Sequence, residues 1–203
     1  MILSFLVFIS MLLAVLGNYR NRLLLYAFKP LTVVLIILYV LTATVKSQWY
    51  ADLIVIGLIF SLIGDVFLML PQDRFVFGLI AFLVAHLIYI LALYFHVVYF
   101  DYWLLIPLIA YGVGIFIYLY AKLAEFKLPV IIYVCVILIM IWFAACWWFD
   151  GGPLAILVGA LLFGLSDTVL AIDRFRYTFN SAQAIILMTY FIAQYLIATS
   201  VMI

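Results

Sequence analysis

Charge is what this chain has least of. Seventeen of its 203 residues carry a formal charge, nine Lys or Arg and eight Asp or Glu, or 8%. A soluble domain has about 25%. That scarcity excludes a water-soluble globule and a disordered tail. The net charge of +1 leaves no basic surface, which excludes nucleic acid as a partner. Cysteine is almost absent too. Cys135 and Cys146 share one apolar run, eleven residues apart. On a helix that is roughly 16 Å along the axis, too far for a disulfide. A disulfide-stapled secreted domain is excluded, the spacing fits no common metal motif, and both are read as small buried apolar residues. The two histidines, His86 and His96, point about 80° apart on a helix and do not supply the three ligands of a catalytic zinc. No Gly-rich phosphate loop, G-x-S-x-G elbow or HExxH helix occurs. The expectation is a protein without metal or organic cofactor.

Apolar residues are what the chain has: 73% of the total, with a mean hydropathy of +1.47. A membrane helix needs about 20 mostly apolar residues. Eight runs qualify, at about 1–17, 30–46, 51–70, 75–95, 103–121, 128–149, 153–172 and 181–202. They are continuously apolar rather than alternating, which argues against a membrane β-barrel. The fold class is therefore all-α, a polytopic bundle of eight transmembrane helices forming one integral-membrane domain over 1–203. The first run lacks a basic n-region, and Ala14 to Gly17 make a poor cleavage site, so it reads as a span rather than a signal peptide. Arg20, Arg22, Lys29, Arg74, Lys122, Lys127, Arg174 and Arg176 fall on one side of the bundle and only Lys46 on the other. The positive-inside rule makes the first side cytoplasmic and puts both termini on the non-cytoplasmic side. Trp49, Trp103, Trp147 and Trp148 fall at the outer interface, where amphipathic rings prefer to sit. Short termini and minimal loops point to a bacterial inner membrane.

The halves resemble each other. Gly57, Asp65 and Leu68 recur as Gly159, Asp167 and Leu170, at an offset of 102. Asp73-Arg74-Phe75 matches Asp173-Arg174-Phe175, and Ala85-His86-Leu87-Ile88 resembles Ala193-Gln194-Tyr195-Leu196. Lys29-Pro30 opens the second run as Lys127-Leu128-Pro129 opens the sixth. Four crossings separate the copies, which predicts a parallel 4+4 repeat of halves 1–100 and 101–203, with a shared site at their interface.

Six of the eight acids lie in loops or at span ends. Asp65 and Asp167 alone sit inside apolar spans, where an ionisable residue is expensive to keep and functional by default. Equivalent repeat positions place them at similar depth, five residues or roughly 7–8 Å from the cytoplasmic ends of their spans. A converging pair resists double ionisation, because burial and a like neighbour both disfavour the charged form. One carboxyl then holds a proton beside an ionised partner, the arrangement that breaks acetal-like bonds and peptides. His86 and Tyr89 share one helix face, and Tyr190 and Gln194 share another; these four are expected to line the pocket. Lys29, at the expected start of helix two, is placed to hold a lipid phosphate.

Together, Lys29-Pro30-Leu31, Gly64-Asp65, Ala85 to Tyr89, Gly159 to Asp167, Asp173-Arg174-Phe175, Met188-Thr189-Tyr190 and Ala193-Gln194 resemble the YhhN-type lysoplasmalogenase family, in the family's order and over nearly the whole chain. The resemblance implies an eight-helix membrane enzyme that cleaves the vinyl ether bond of lysoplasmalogens with water. Products would be a fatty aldehyde and a glycerophosphoethanolamine or glycerophosphocholine. It also implies that Asp65 and Asp167 are catalytic. The chemistry suits the residues: a protonated carboxyl delivers a proton to the alkene, and a carboxylate stabilises the oxocarbenium ion and activates water. The sequence does not assign the two roles between the two aspartates. A proton-coupled transporter, with the aspartates as coupling sites, is the alternative. An intramembrane aspartyl protease is disfavoured, because Leu62-Ile63-Gly64-Asp65 lacks the Gly-x-Gly-Asp signature and no Pro-Ala-Leu motif occurs.

Overall fold

A computed structural model describes residues 2–70 and 74–202. Asp73, one member of the Asp-Arg-Phe match, lies outside the described residues. Every regular element described is helical: α1 (Ile2–Arg20), α2 (Arg22–Thr42), α3 (Gln48–Met69), α4 (Phe75–Tyr94), α5 (Leu105–Tyr120), α6 (Lys127–Phe149), α7 (Leu154–Phe175) and α8 (Ala182–Thr199). Short 3₁₀ turns precede α5 and α6 and follow α8. Among the described residues, eight helical stretches are long and apolar enough to cross a membrane. The chain is an integral multi-pass membrane protein.

Several boundaries shift by three or four residues from the hydropathy reading, and the start of α2 by eight; two of these departures bear on the site. α2 begins at Arg22, not at residue 30. Asn21 starts it: its backbone is extended and its side chain accepts the Leu23 N–H at 2.9 Å, a normal N-cap. Gly17 makes this single-residue connection possible, since a Cβ there would lie 2.5 Å from the Leu25 nitrogen. Lys29-Pro30 therefore lies within α2, and Lys29 does not stand at a helix N-terminus. A proline inside a helix removes one hydrogen bond, and membrane helices tolerate it where neighbouring hydroxyls serve the backbone. Thr32 donates to the Phe28 carbonyl at 2.7 Å, and Ser10 of α1 lies 2.7 Å from the Thr32 hydroxyl. α7 runs on to Phe175, so Asp167 lies eight residues from its helix end and Asp65 only four.

The chain folds as close antiparallel hairpins, α1/α2, α3/α4 and α7/α8. α3 and α4 approach closely because Phe82 covers Gly64, where a Cβ would lie 2.7 Å from the ring. α4 packs on α6, α2 on α3 and α8, and α6 on α7. α8 is the most buried span and α5 the least; α5 leans on α6 and α7 at the rim. Cys135 is exposed on α6, against the expectation of burial, whereas Cys146 is buried.

Candidate active site

α3 carries Asp65 into the interior, where it is 1% exposed. Neighbouring helices close both of its oxygens. The Lys29 ammonium reaches across from α2 to 3.1 Å from Oδ1, and Tyr190 of α8 donates its hydroxyl to Oδ2 at 2.8 Å. An ion pair with a second hydrogen bond is the arrangement under which a buried carboxylate is tolerated. Lys29 is thus the counter-ion of Asp65. Its long stem lets a residue seven positions inside α2 span the gap between helices.

Asp167 on α7 is held differently. Tyr133 of α6 donates to Oδ2 at 2.7 Å, and Nε2 of His86, on α4, lies 3.7 Å from the same oxygen. His86 Nδ1 lies 2.6 Å from the Phe82 carbonyl oxygen. A carbonyl only accepts, so Nδ1 carries a hydrogen. In the neutral ring, Nε2 then presents a lone pair towards Asp167. It is buried with no hydrogen-bond partner among the described residues. A single proton can reside on Asp167 or on Nε2, which makes the pair a proton-holding unit. No Lys or Arg lies within ion-pair distance of Asp167 among the described residues.

Phe163 stands between the two groups, its ring centroid 4.5 Å from that of His86 and 5.4 Å from that of Tyr190. Among the described cavities, none is bordered by both Asp65 and Asp167. The Asp167 side chain, 12% exposed, borders a cavity of about 50 Å³ walled almost wholly by apolar residues of α4, α5, α6 and α7. Lys29 borders a separate polar pocket of about 360 Å³ between α1, α2, α3 and α8.

Of the expected pocket residues, His86 and Tyr190 each contact an aspartate. His86 contacts Asp167 rather than the repeat-equivalent acid nearer to it in sequence. Tyr89 and Gln194 do not line either opening. The Tyr89 hydroxyl donates to Gln194 Oε1 at 2.8 Å in a fully buried tie between α4 and α8. Tyr133 was missed. It is one of fifteen tyrosines in an apolar chain and carries no motif, so only the approach of α6 to α7 singles it out.

Known proteins are similar to this sequence. The YhhN family model matches residues 24–201. Membrane protein YhhN of Escherichia coli O157:H7 is 29% identical over 179 residues, 86% of each chain. Lysoplasmalogenase TMEM86A of Bos taurus is 36% identical over 162 residues, 74% of this chain and 65% of that relative. Lysoplasmalogenase TMEM86B of Homo sapiens is 36% identical over 154 residues, 76% and 65% of the respective chains. No solved structure matches.

Proposed function

The chain belongs to the YhhN family, and from that premise we propose that it hydrolyses the vinyl ether bond of lysoplasmalogens, with Asp167 as general acid and Asp65 as carboxylate. The observation that carries this reading is the unequal support of two carboxyls inside the spans. Asp65 faces an ammonium. Asp167 faces a hydroxyl and an imidazole nitrogen that can exchange a proton with it. The names of the TMEM86A and TMEM86B relatives support the reaction class.

In this mechanism Asp167 protonates the outer alkene carbon. The oxocarbenium ion that results is stabilised by the Asp65 carboxylate, which then takes a proton from the attacking water. The hemiacetal collapses to aldehyde and glycerophospho-alcohol, so one water is consumed and no electron is exchanged. Tyr133 and Tyr190 aim the two carboxyl groups. Phe163 packs between Tyr190 and His86 and walls this part of the site. Tyr89 and Gln194 hold α4 to α8 behind this layer.

Two packing features support reading the halves as a parallel repeat. Asp65 on α3 is held from α2 and α8, and Asp167 on α7 is held from α6 and α4, four elements away in each case. Gly57 receives the Tyr89 ring, and Gly159 receives Ile197, the positions that the Ala85/Ala193 match pairs. The eight-to-one distribution of basic residues supports cytoplasmic placement of the Lys29 end, in a bacterial inner membrane, with both termini outside.

The test is to incubate purified protein with a lysoplasmalogen in heavy water. Aldehyde should be released more slowly than in ordinary water, because protonation of carbon limits the rate, and deuterium should appear on the carbon beside the carbonyl. The pH profile should be bell-shaped, since one carboxyl must be protonated and the other ionised. Accumulation of the lipid in sealed vesicles without aldehyde release would replace this reading with the transport one.

A further inference from the structure

The two openings beside the carboxyls have opposite character and matching positions. The polar pocket is lined from α1, α2, α3 and α8, with Asn18, Arg22, Lys29 and Gln183 among its walls. The apolar cavity is lined from α5, α6, α7 and α4. Each helix of the second set lies four elements from one of the first. Both openings sit in the same half of the bundle, towards the end that carries Arg20, Arg22, Arg174 and Arg176.

We propose that these are two halves of one amphiphile site: the polar pocket holds the phosphate-bearing headgroup of a single-chain phospholipid, and the apolar cavity holds its hydrocarbon chain. This assignment rests on the hydrolase reading above and extends it to substrate orientation. In a lysoplasmalogen the scissile bond lies at the junction of polar glycerol and apolar chain. Asp167 borders the apolar cavity, and Asp65 is ion-paired with the Lys29 that borders the polar pocket, so the two acids are the groups placed at that junction in this assignment.

Charge complementarity identifies the occupant of the first. No carboxylate lies among its described lining residues. Lys29, at its floor, is already neutralised by Asp65, so Arg22 at its mouth is the cation left for a phosphate diester. Guanidinium suits that group through paired N–H donors. The pocket's 360 Å³ is within the range of small-molecule sites.

Continuity identifies the occupant of the second. Asp167 is the carboxyl with access to it. The cavity shares Val134 and Leu138 with a further apolar groove of about 270 Å³ between α5 and α6. Gly112 keeps that groove open beside Leu138, whose Cδ1 would lie 2.5 Å from an added Cβ. α5 is the least buried span, and a hydrogen bond of 2.7 Å between the Tyr111 and Thr168 hydroxyls ties it to α7 directly beside Asp167. The chain therefore slides in from the bilayer between α5, α6 and α7. Since lipid is as apolar as the groove, the site selects by shape rather than by hydrophobic attraction.

The test uses the intact protein in nanodiscs and two photoreactive lysophosphatidylcholines, one with a diazirine at the chain terminus and one with it on the headgroup. The chain probe should modify α5 and α6 between residues 109 and 138, and the headgroup probe α1, α2 or α8 near Arg22. Excess unlabelled lysophospholipid should suppress both. Ile115→Trp, which fills the cavity, should abolish the chain adducts and lower kcat/KM for an octadecenyl substrate by roughly tenfold or more relative to an octenyl one, the low end of discrimination by an apolar pocket. Arg22→Gln should weaken headgroup labelling and leave the chain-length ratio unchanged. Both probes on the same helices, or chain adducts that excess lipid does not suppress, would overturn the inference. The correct adducts without aldehyde release would leave the lipid site standing and remove the hydrolase reading. Aldehyde release with adducts elsewhere would do the reverse.

Discussion

Lys29 shows how far one contact changes a residue's meaning. As a basic residue before a proline it reads as a phosphate ligand; 3.1 Å from Asp65 it is a counter-ion. Removing one partner of a buried pair leaves an unpaired charge, at a cost of about 3–5 kcal/mol. Lys29→Met should therefore lower thermal stability as well as kcat. Adding Asp65→Asn to it should restore stability without restoring activity. A single variant of wild-type stability, with only KM raised, would return Lys29 to phosphate binding. Asp167→Asn should lower kcat at least about 100-fold with the fold intact, the lower end for a positioned acid or base; Asp65→Asn should lower it as far and also lose stability, because it leaves the Lys29 ammonium without its partner. Tyr133→Phe removes one hydrogen bond to the acid, worth about 0.5–1.5 kcal/mol. It should lower kcat and shift the pH profile while leaving KM nearly unchanged. Full activity in Tyr133→Phe would show that the hydroxyl does not orient the acid. Both aspartates were legible in the sequence because an acid stands out in an apolar run. Tyr133 was not, because a tyrosine there is chemically unremarkable until α6 meets α7.

At the scale of elements, hydropathy located all eight helices but misplaced the start of α2 by eight residues. Arg22 and Lys29 lower the local hydropathy, and Pro30 resembles a helix start. The capping chemistry of Asn21 decides the boundary instead. Asn21→Ala should lower stability by about 1 kcal/mol, as loss of an N-cap does, measured as a fall in thermal unfolding midpoint. The α3/α4 hairpin depends on closeness at glycine. A side chain at Gly57 would collide with the Tyr89 ring, and overpacking costs about 1–3 kcal/mol. Gly57→Val should reduce the folded yield, and adding Tyr89→Ala should recover part of it. No recovery would place the lost contact elsewhere.

For the whole molecule, orientation is the most accessible test. If the basic end is cytoplasmic, a cysteine at position 174 should resist a membrane-impermeant thiol reagent applied to intact cells, and one at position 46 should react. The reverse pattern would invert the topology. Class, number of spans and the two buried acids follow from the linear chain alone, because each depends on composition along it and on the cost of placing charge in lipid. Which acid faces an ammonium and which faces a histidine emerges only from the packed helices, as does the contrast between the polar pocket beside Lys29 and the apolar cavity beside Asp167. Those distinctions arise between helices distant in sequence, where the reach of Lys29, Tyr133, His86 and Tyr190 across the packed interfaces sets the partners, and no local pattern encodes which faces will meet.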